Sequence, residues 1–389
     1  MRLINSYACY YKDDGKRLQS SSGAVFSALA EYVLERHGAV YGVAMANDCY
    51  SVEYIEVTDA NSPTLEKLKG SKYLQASSAV VLEKVRERLQ NGQFVLFTGT
   101  GCQINGLKTF LRDSHVEYKN LICQEVVCHG VPSAKLWREY VRHQEAGAGG
   151  KMKSVSFRSK ENGWTSYGMH EIFELSDRAN NGRKIFDTYI PKEEDSYLQM
   201  FLRDYCLRPS CYKCREKKHS LADITIADFW GISKIDSSMN DDKGTSLVLI
   251  RTPEGQAVFD EIKNKLEVKE VSYEDGVRYN PSEYQSCKMP LQRKRFFHDM
   301  GRLNYERLRK KYLDSPFFRG LCALGRRIIK INPQEDCSGC GACYAICPQK
   351  AIEMVENEEG FLYPQINGDK CVECGKCETL CSFCNKFRG

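Results

Sequence analysis

Eight cysteines crowd into the last fifty-odd residues in two runs of a single spacing. Cys337, Cys340, Cys343 and Cys347 read C-x2-C-x2-C-x3-C and are followed by Pro348; Cys371, Cys374, Cys377 and Cys381 repeat the run, with Ser382 at the proline position. Three thiolates in so tight a loop reach three corners of one iron–sulfur cubane, and the fourth of each run reaches the other cubane. The pattern predicts a small ferredoxin-like domain over residues 334–389 with two [4Fe–4S] clusters. Cys337, Cys340, Cys343 and Cys381 are expected to hold one, and Cys347, Cys371, Cys374 and Cys377 the other. Gly339, Gly341 and Gly375 suit a backbone that crowds against sulfide. Between the runs, residues 351–355 and 361–364 flank a turn at 357–360 and read as a small hairpin. Zinc sites use two C-x2-C pairs, not two tandem four-cysteine runs, so the spacing favours clusters.

The whole chain of 389 residues holds 19 cysteines, enough to ask whether they form disulfides instead. Residues 1–11 lack the charged-then-apolar profile of a signal peptide. No apolar run approaches the roughly eighteen residues of a membrane span. No membrane span is therefore expected, and the cytoplasm is the expected compartment, where clustered cysteines point to metal or redox chemistry. A net charge of +5 is mild for this length and offers no stripe for nucleic acid. Basic clusters at 293–295, 307–311 and 326–330 lie beside large apolar residues. They read as solvated helix faces, with docking of an acidic partner as the other use.

Upstream, helical and strand signals alternate. A serine-rich stretch ending in Gly23 precedes a helical pattern from Val25 to Val33, followed by a strand over 39–45. A helix over 80–89 leads to the apolar run 94–97, which suits a buried parallel strand. Thr98, Gly99, Thr100, Gly101 and Cys102 form its exit loop, and a helix follows near 104–111. The unit then recurs: strand 121–127, a loop with Cys128, His129 and Gly130, and helix 133–141. Consecutive strand–loop–helix units send their loops to one edge of a parallel sheet, which would bring Cys102 and Cys128 together. Strand signals at 167–175, 224–229 and 247–250 are less regular, so the chain reads as α/β passing to α+β. Cys211 and Cys214 have the spacing of two ligands on one turn. Joined with the two loop cysteines they make a candidate third cluster held by Cys102, Cys128, Cys211 and Cys214, with Cys206 as a possible substitute for one of them. Cys9, Cys49, Cys123, Cys287, Cys322 and Cys384 have no supporting pattern and read as free thiols.

The motifs along residues 6–270 resemble those of the coenzyme F420 hydrogenase/dehydrogenase beta-subunit family. The resemblance rests on SSSGAVFSALA at 20–30, GSKYLQ at 70–75, TGTGCQ at 98–103 and VCHGVP at 127–132. LRPSCYKC at 207–214 and ADITIADFWG at 222–231 complete the set. It implies a flavin-binding domain with a partly parallel sheet, split into an N-terminal part (1–150) and a C-terminal part (151–310). A linker (311–333) would then lead to the C-terminal 2[4Fe–4S] domain. It also implies FAD and supports the third cluster. Gly101 stands where the family has proline, and the Cys-His-Gly form is closer to the family's bacterial branch, which leaves F420 itself open as substrate.

On that resemblance, Ser21, Ser22 and Gly23 are expected to contact the FAD pyrophosphate at a helix N-terminus; without it, a plain N-cap is the simpler reading. Lys72 would neutralise phosphate or reduced flavin, although a lone lysine is more often at the surface, and Thr98, Gly99 and Thr100 offer small groups where a flat ring approaches. His129 is expected either to deliver a proton or to hydrogen-bond a cluster sulfur, and Asp228 either to serve the site or to hold a backbone turn. The expected function is a flavin- and iron–sulfur-dependent oxidoreductase. It would work between a small-molecule substrate or coenzyme and a ferredoxin-like electron carrier or partner oxidoreductase. The alternative is an electron-transfer subunit without its own substrate site. A homo-oligomer is compatible with either.

Overall fold

A computed structural model describes residues 5–177, 182–217, 219–317 and 336–381. The chain opens with strand β1 (Asn5–Tyr11), short helix α1 (Asp14–Leu18) and helix α2 (Val25–Leu34). Strands β2 (Ala39–Met45) and β3 (Val52–Val57), helices α3 (Thr64–Leu68) and α4 (Ala79–Gln90), and strand β4 (Val95–Gly99) follow. Helix α5 (Gly101–Asp113), strand β5 (Leu121–Val126) and helix α6 (Ala134–Ala148) complete this half. Strands β6 (Gly150–Ser159), β7 (Gly168–Asp177) and β8 (Gly182–Pro191) form a separate antiparallel sheet. Strands β9 (Ile224–Asp228), β10 (Ser246–Ile250) and β11 (Leu266–Glu270) return to the first sheet.

That sheet has eight strands in the order β11-β1-β10-β9-β5-β4-β2-β3. Its central four, β9, β5, β4 and β2, are parallel, and antiparallel strands flank them. Alternate side chains face opposite layers, as the strand pleat requires. Leu96 and Ile122 pack with α2, whereas Val95, Phe97, Leu121 and Cys123 pack with α4 and α5. Because the central strands share one direction, the loops after β4, β5 and β9 leave at one edge. Ser246 pairs with Asp228 and with Cys9, which brings the start of β10 and the end of β1 to that edge too.

The C-terminal hairpin pairs β12 (Ile352–Glu356) with β13 (Leu362–Ile366), flanked by the helices Ala342–Ile346 and Lys376–Leu380. The hairpin module does not hang free. Ala342, Ala345 and Leu380 share a core with Leu82, Ile104, Leu107 and Phe110 of α4 and α5.

Two expectations are corrected here. Arg293 is not on a solvated face. It is 5% exposed, donates to the Leu207 carbonyl and pairs with Glu359 of the module at 2.6 Å. The first residues of the expected linker are also structural: residues 310–314 prolong the helix Tyr305–Arg309 as a π-helical turn that buries Tyr312 and Leu313. The rest of that linker from 318 on, with the basic cluster at 326–330 and Cys322 and Cys384, lies outside the described residues. Among the described residues, no helix is long and apolar enough to cross a membrane.

Candidate metal centres and flavin loop

The eight module cysteines separate into two groups. The sulfurs of Cys337, Cys340, Cys343 and Cys381 are near enough to feel one another's charge. Cys347, Cys371, Cys374 and Cys377 line a second pocket. The groups differ in surroundings. Burial raises the Cys337, Cys340 and Cys343 thiols of the first, Cys340 to about 11, while Cys374 of the second is exposed. Backbone N–H groups point at sulfur in both: Gly339 N lies 3.4 Å from Cys337 Sγ, and Ala351 N lies 3.3 Å from Cys347 Sγ.

The first group lies against the larger domain. The Ser78 hydroxyl donates to the Cys340 carbonyl at 2.8 Å. Arg208, fully buried, donates to the carbonyls of Cys337 and Leu362 at 2.7 Å each. Gly341, at φ 76°, caps the helix Ala342–Ile346, and a Cβ there would meet the Ala79 backbone at 2.8 Å. On α5, a Cβ at Gly106 would lie 3.1 Å from Cys340 Sγ.

One turn before Gly106 on the same helix stands Cys102. It follows the N-cap Thr100, whose backbone N–H is bonded by Gln103 in a capping box. Cys128 lies just beyond β5, and Cys211 and Cys214 belong to the 3-10 turn Pro209–Lys213 and its cap. All four line an open pocket of about 540 Å³, with Glu125 and Lys217 in its wall. Burial is the main cause of the raised thiol values, Cys128 to about 11 and Cys211 to about 12. Val131 N donates to Cys211 Sγ at 3.3 Å, and Lys217 is tied to the carbonyls of Cys128 and Ser282. Cys206 is not part of this group: it is buried in the core around Tyr197 and Tyr212, and its carbonyl accepts from Ser133 N. The departure at Gly101 has a local cause. A Cβ there would sit 2.6 Å from Glu125 Oε1, so glycine clears the buried carboxyl. Lys213, inside the Cys211–Cys214 turn, pairs with buried Asp336, the neighbour of Cys337.

The serine-rich loop has a different arrangement from a simple N-cap. Ala24 caps α2 in the left-handed region at φ 63°, with no side-chain cap bond. Ser22 Oγ donates to the Thr245 carbonyl at 2.8 Å, and Gly23 N donates to Ser246 Oγ at 2.9 Å. A Cβ on Gly23 would lie 2.3 Å from the Cys9 carbonyl, so the glycine is required by strand packing. Ser21 Oγ accepts from Ser71 N at 2.7 Å, which joins this loop to the segment carrying Lys72. Lys72 donates to the carbonyls of Lys67 and Lys69, and burial lowers it to about 7. It is half-buried.

A second half-buried lysine, Lys160, supports the loop without any sequence pattern to announce it. It donates to the carbonyls of Arg17, Ser22 and Lys243 at 2.6–2.8 Å, using all three ammonium protons, although burial lowers it to about 7. Thr98 Oγ1 donates to the Tyr41 carbonyl, and Tyr54 donates to the Thr98 carbonyl across Gly99. Asp228 does not hold its own turn. Its carboxylate takes both Arg158 terminal nitrogens at 2.8 and 3.0 Å and the Trp164 indole at 2.8 Å.

His129 directs Nε2 at Asp204 Oδ1, 2.7 Å away, and its ring meets Phe201 edge-on. Cys287, read from sequence as an unremarkable thiol, approaches the His129 carbonyl at 3.5 Å and is close enough to Cys211 and Cys128 to feel their charge. Its contacts span 158 residues and leave no spacing signal to find.

These features define an iron–sulfur protein built on a partly parallel α/β domain with a docked cysteine-rich module. Residues 92–275 match the family model for the C terminus of the coenzyme F420 hydrogenase/dehydrogenase beta subunit, and residues 336–384 match the 4Fe-4S dicluster domain. The larger domain is thus similar to the C-terminal part of that beta subunit, and the cysteine-rich module is similar to a 4Fe–4S dicluster domain. Short stretches of the chain are similar to an uncharacterised polyferredoxin-like protein of Methanocaldococcus jannaschii, 36% identical over 69 residues, and to the VorC subunit of ketoisovalerate oxidoreductase of Methanothermobacter marburgensis, 35% identical over 48 residues. These matches cover 16% and 12% of this chain and 41% and 61% of those proteins, less than two thirds of either. A chain of the F420-reducing [NiFe] hydrogenase complex from Methanosarcina barkeri superposes with a TM-score of 0.49 at 16% identity, over 82% of this chain and 94% of that one.

Proposed function

We propose that the protein is a flavin- and iron–sulfur-dependent oxidoreductase with three clusters and one FAD. Its two module clusters would be held by Cys337, Cys340, Cys343 and Cys381 and by Cys347, Cys371, Cys374 and Cys377. The third would be held by Cys102, Cys128, Cys211 and Cys214. When bound, FAD supplies two-electron exchange with a small-molecule substrate or coenzyme, and the clusters supply one-electron relay to a ferredoxin-like carrier. One observation carries the reading: α5 holds Cys102 at its first turn and packs Gly106 against Cys340 one turn later. Four residues of helix rise about 6 Å. The Lys213–Asp336 ion pair ties the two cysteine sets together a second time.

The chain's own residues do the positioning. Arg208 and Ser78 hold the module's first cysteine loop to the domain. The flavin loop around Ser21 sits at the uncapped start of a ten-residue helix, with Lys72 nearby and Lys160 beneath. Both lysines are lowered by burial, so an anion such as pyrophosphate would stabilise their charged forms. His129 has its Nε2 committed to Asp204, and no proton step is assigned to it.

Anaerobically purified protein is expected to contain FAD and about twelve iron atoms per chain, falling to about eight in Cys214→Ala. Iron near eight in the unaltered chain removes the third cluster. FAD that falls in Ser21→Asp at unchanged iron supports the loop, and FAD retained in that variant sends the flavin elsewhere. Protein without flavin that still relays electrons would leave the electron-transfer subunit as the reading.

A further inference from the structure

We infer that His129, Asp204 and Cys287 form a mononuclear site for a divalent transition-metal ion of the zinc type, beside the third four-cysteine set and separate from it. Their ligand atoms, one imidazole nitrogen, one carboxylate oxygen and one sulfur, all lie within 4.8 Å of one another. They come from the loop after β5, the turn after the helix Ser196–Leu202, and a loop near residue 287. Nothing in local chain geometry forces such a meeting. Nitrogen, carboxylate oxygen and thiolate sulfur are the donors zinc takes, at about 2.0–2.3 Å. A neutral imidazole with two anionic ligands balances a doubly charged ion.

The arrangement around these three groups fits ligands held in place from outside. The Asp204 carbonyl accepts from the buried Tyr212 hydroxyl at 2.5 Å, and its N–H donates to the Phe201 carbonyl at 3.0 Å. Phe201 also meets the His129 ring edge-on at 5.1 Å, which restricts its rotation. The Cys287 thiol donates to the His129 carbonyl at 3.5 Å, a bond it gives up on binding the ion as thiolate. The 2.7 Å contact between His129 Nε2 and Asp204 Oδ1 is where a proton stands when the ion does not. All three side chains are half-buried, so a fourth position is open to water or a small ligand, the pattern of a zinc site that does chemistry rather than one that only staples. The neighbouring pocket already gathers four thiols; His129 lines its wall, whereas Cys287 and Asp204 do not.

The site borders the third four-cysteine set, with Cys287 near Cys211 and Cys128, and one experiment separates the two. The full chain, purified anaerobically and stripped with a chelator of loosely held metal, is equilibrated with Zn2+ alone, and zinc and iron are counted together. About one zinc per chain is expected. Affinity should drop at least tenfold in Cys287→Ala and in Asp204→Asn while iron is unchanged. X-ray absorption at the zinc edge should find one sulfur at about 2.3 Å among lighter ligands. Zinc held equally by the variants, or a zinc shell without sulfur in the unaltered protein, overturns the site. So does iron lost along with zinc in Cys287→Ala, because that makes Cys287 a cluster ligand. If either variant fails to fold, the absorption shell of the unaltered protein decides alone.

Discussion

Tyr140 presents one hydroxyl to two buried carboxyls, Glu171 at 2.7 Å and Asp195 at 2.6 Å. A hydroxyl has a single proton to donate, so two ionised neighbours would leave one oxygen facing another. The pair is satisfied when it keeps a proton, and burial, the largest cause, raises Glu171 to about 7 and Asp195 to about 6. The folded state therefore binds more protons than the unfolded state between about pH 4.5 and 7. Stability should fall as pH rises through that window and level off above it. Glu171→Gln removes half of the shared site, and thermal unfolding followed from pH 5 to 8 should show a flatter fall than the unaltered protein. Equal slopes would place the proton elsewhere. No sequence pattern exposes such a pair, because the three residues come from α6, β7 and a helix cap and meet only in the fold. Cys287 escaped notice for the same reason, whereas the module cysteines were legible because their spacing is itself the geometry.

At the level of elements, apolar periodicity was enough for β2, α4, β4, α5, β5 and α6, whose buried faces are regular. It missed β1 and β3, where tyrosines and glutamates interrupt the run, and β8, whose Ile185 and Phe186 are exposed. The N-terminal edges of the functional loops were readable, but the partners of their hydroxyls were not. Helix α5 best rewards a test at this scale. A side chain at Gly106 must push Cys340 away, since a Cβ would stand 2.9 Å from the Cys340 Cβ. Gly106→Val is therefore expected to slow reoxidation of the reduced larger domain by an external acceptor at least tenfold. Iron and flavin contents should hold near those of the unaltered chain. Unchanged reoxidation would mean that electrons reach the module by another face.

For the molecule as a whole, the paired strand–loop–helix units made one crowded sheet edge foreseeable. The eight-strand order was not, because β9, β10 and β11 join from far along the chain and the joining pairs carry no local signal. Docking of the module was likewise hidden: Arg138–Glu356, Arg293–Glu359 and Lys213–Asp336 each link residues far apart in the chain. The docked module turns its first cysteine group inward and its second outward, where Val372 is 61% exposed, Ile366 is 53% exposed and Cys374 is open. If the proposed function holds, that outward rim is where a carrier docks, and Val372→Glu is expected to raise the half-saturating concentration of a ferredoxin-like acceptor about tenfold, while reduction by a small inorganic donor is untouched. An effect on both would point to damage of the cluster loop instead.

The module is seated on α4 and α5, with Gly341 against Ala79 and Cys340 against Gly106, and its Ala342, Ala345 and Leu380 join the apolar core of those helices. Cysteine loops of this kind order only as they take up metal. A chain that has not yet received its iron would leave the seat on α4 and α5 uncovered, within reach of chaperones and proteases. Iron supply, more than synthesis, would then set how much compact protein a cell retains.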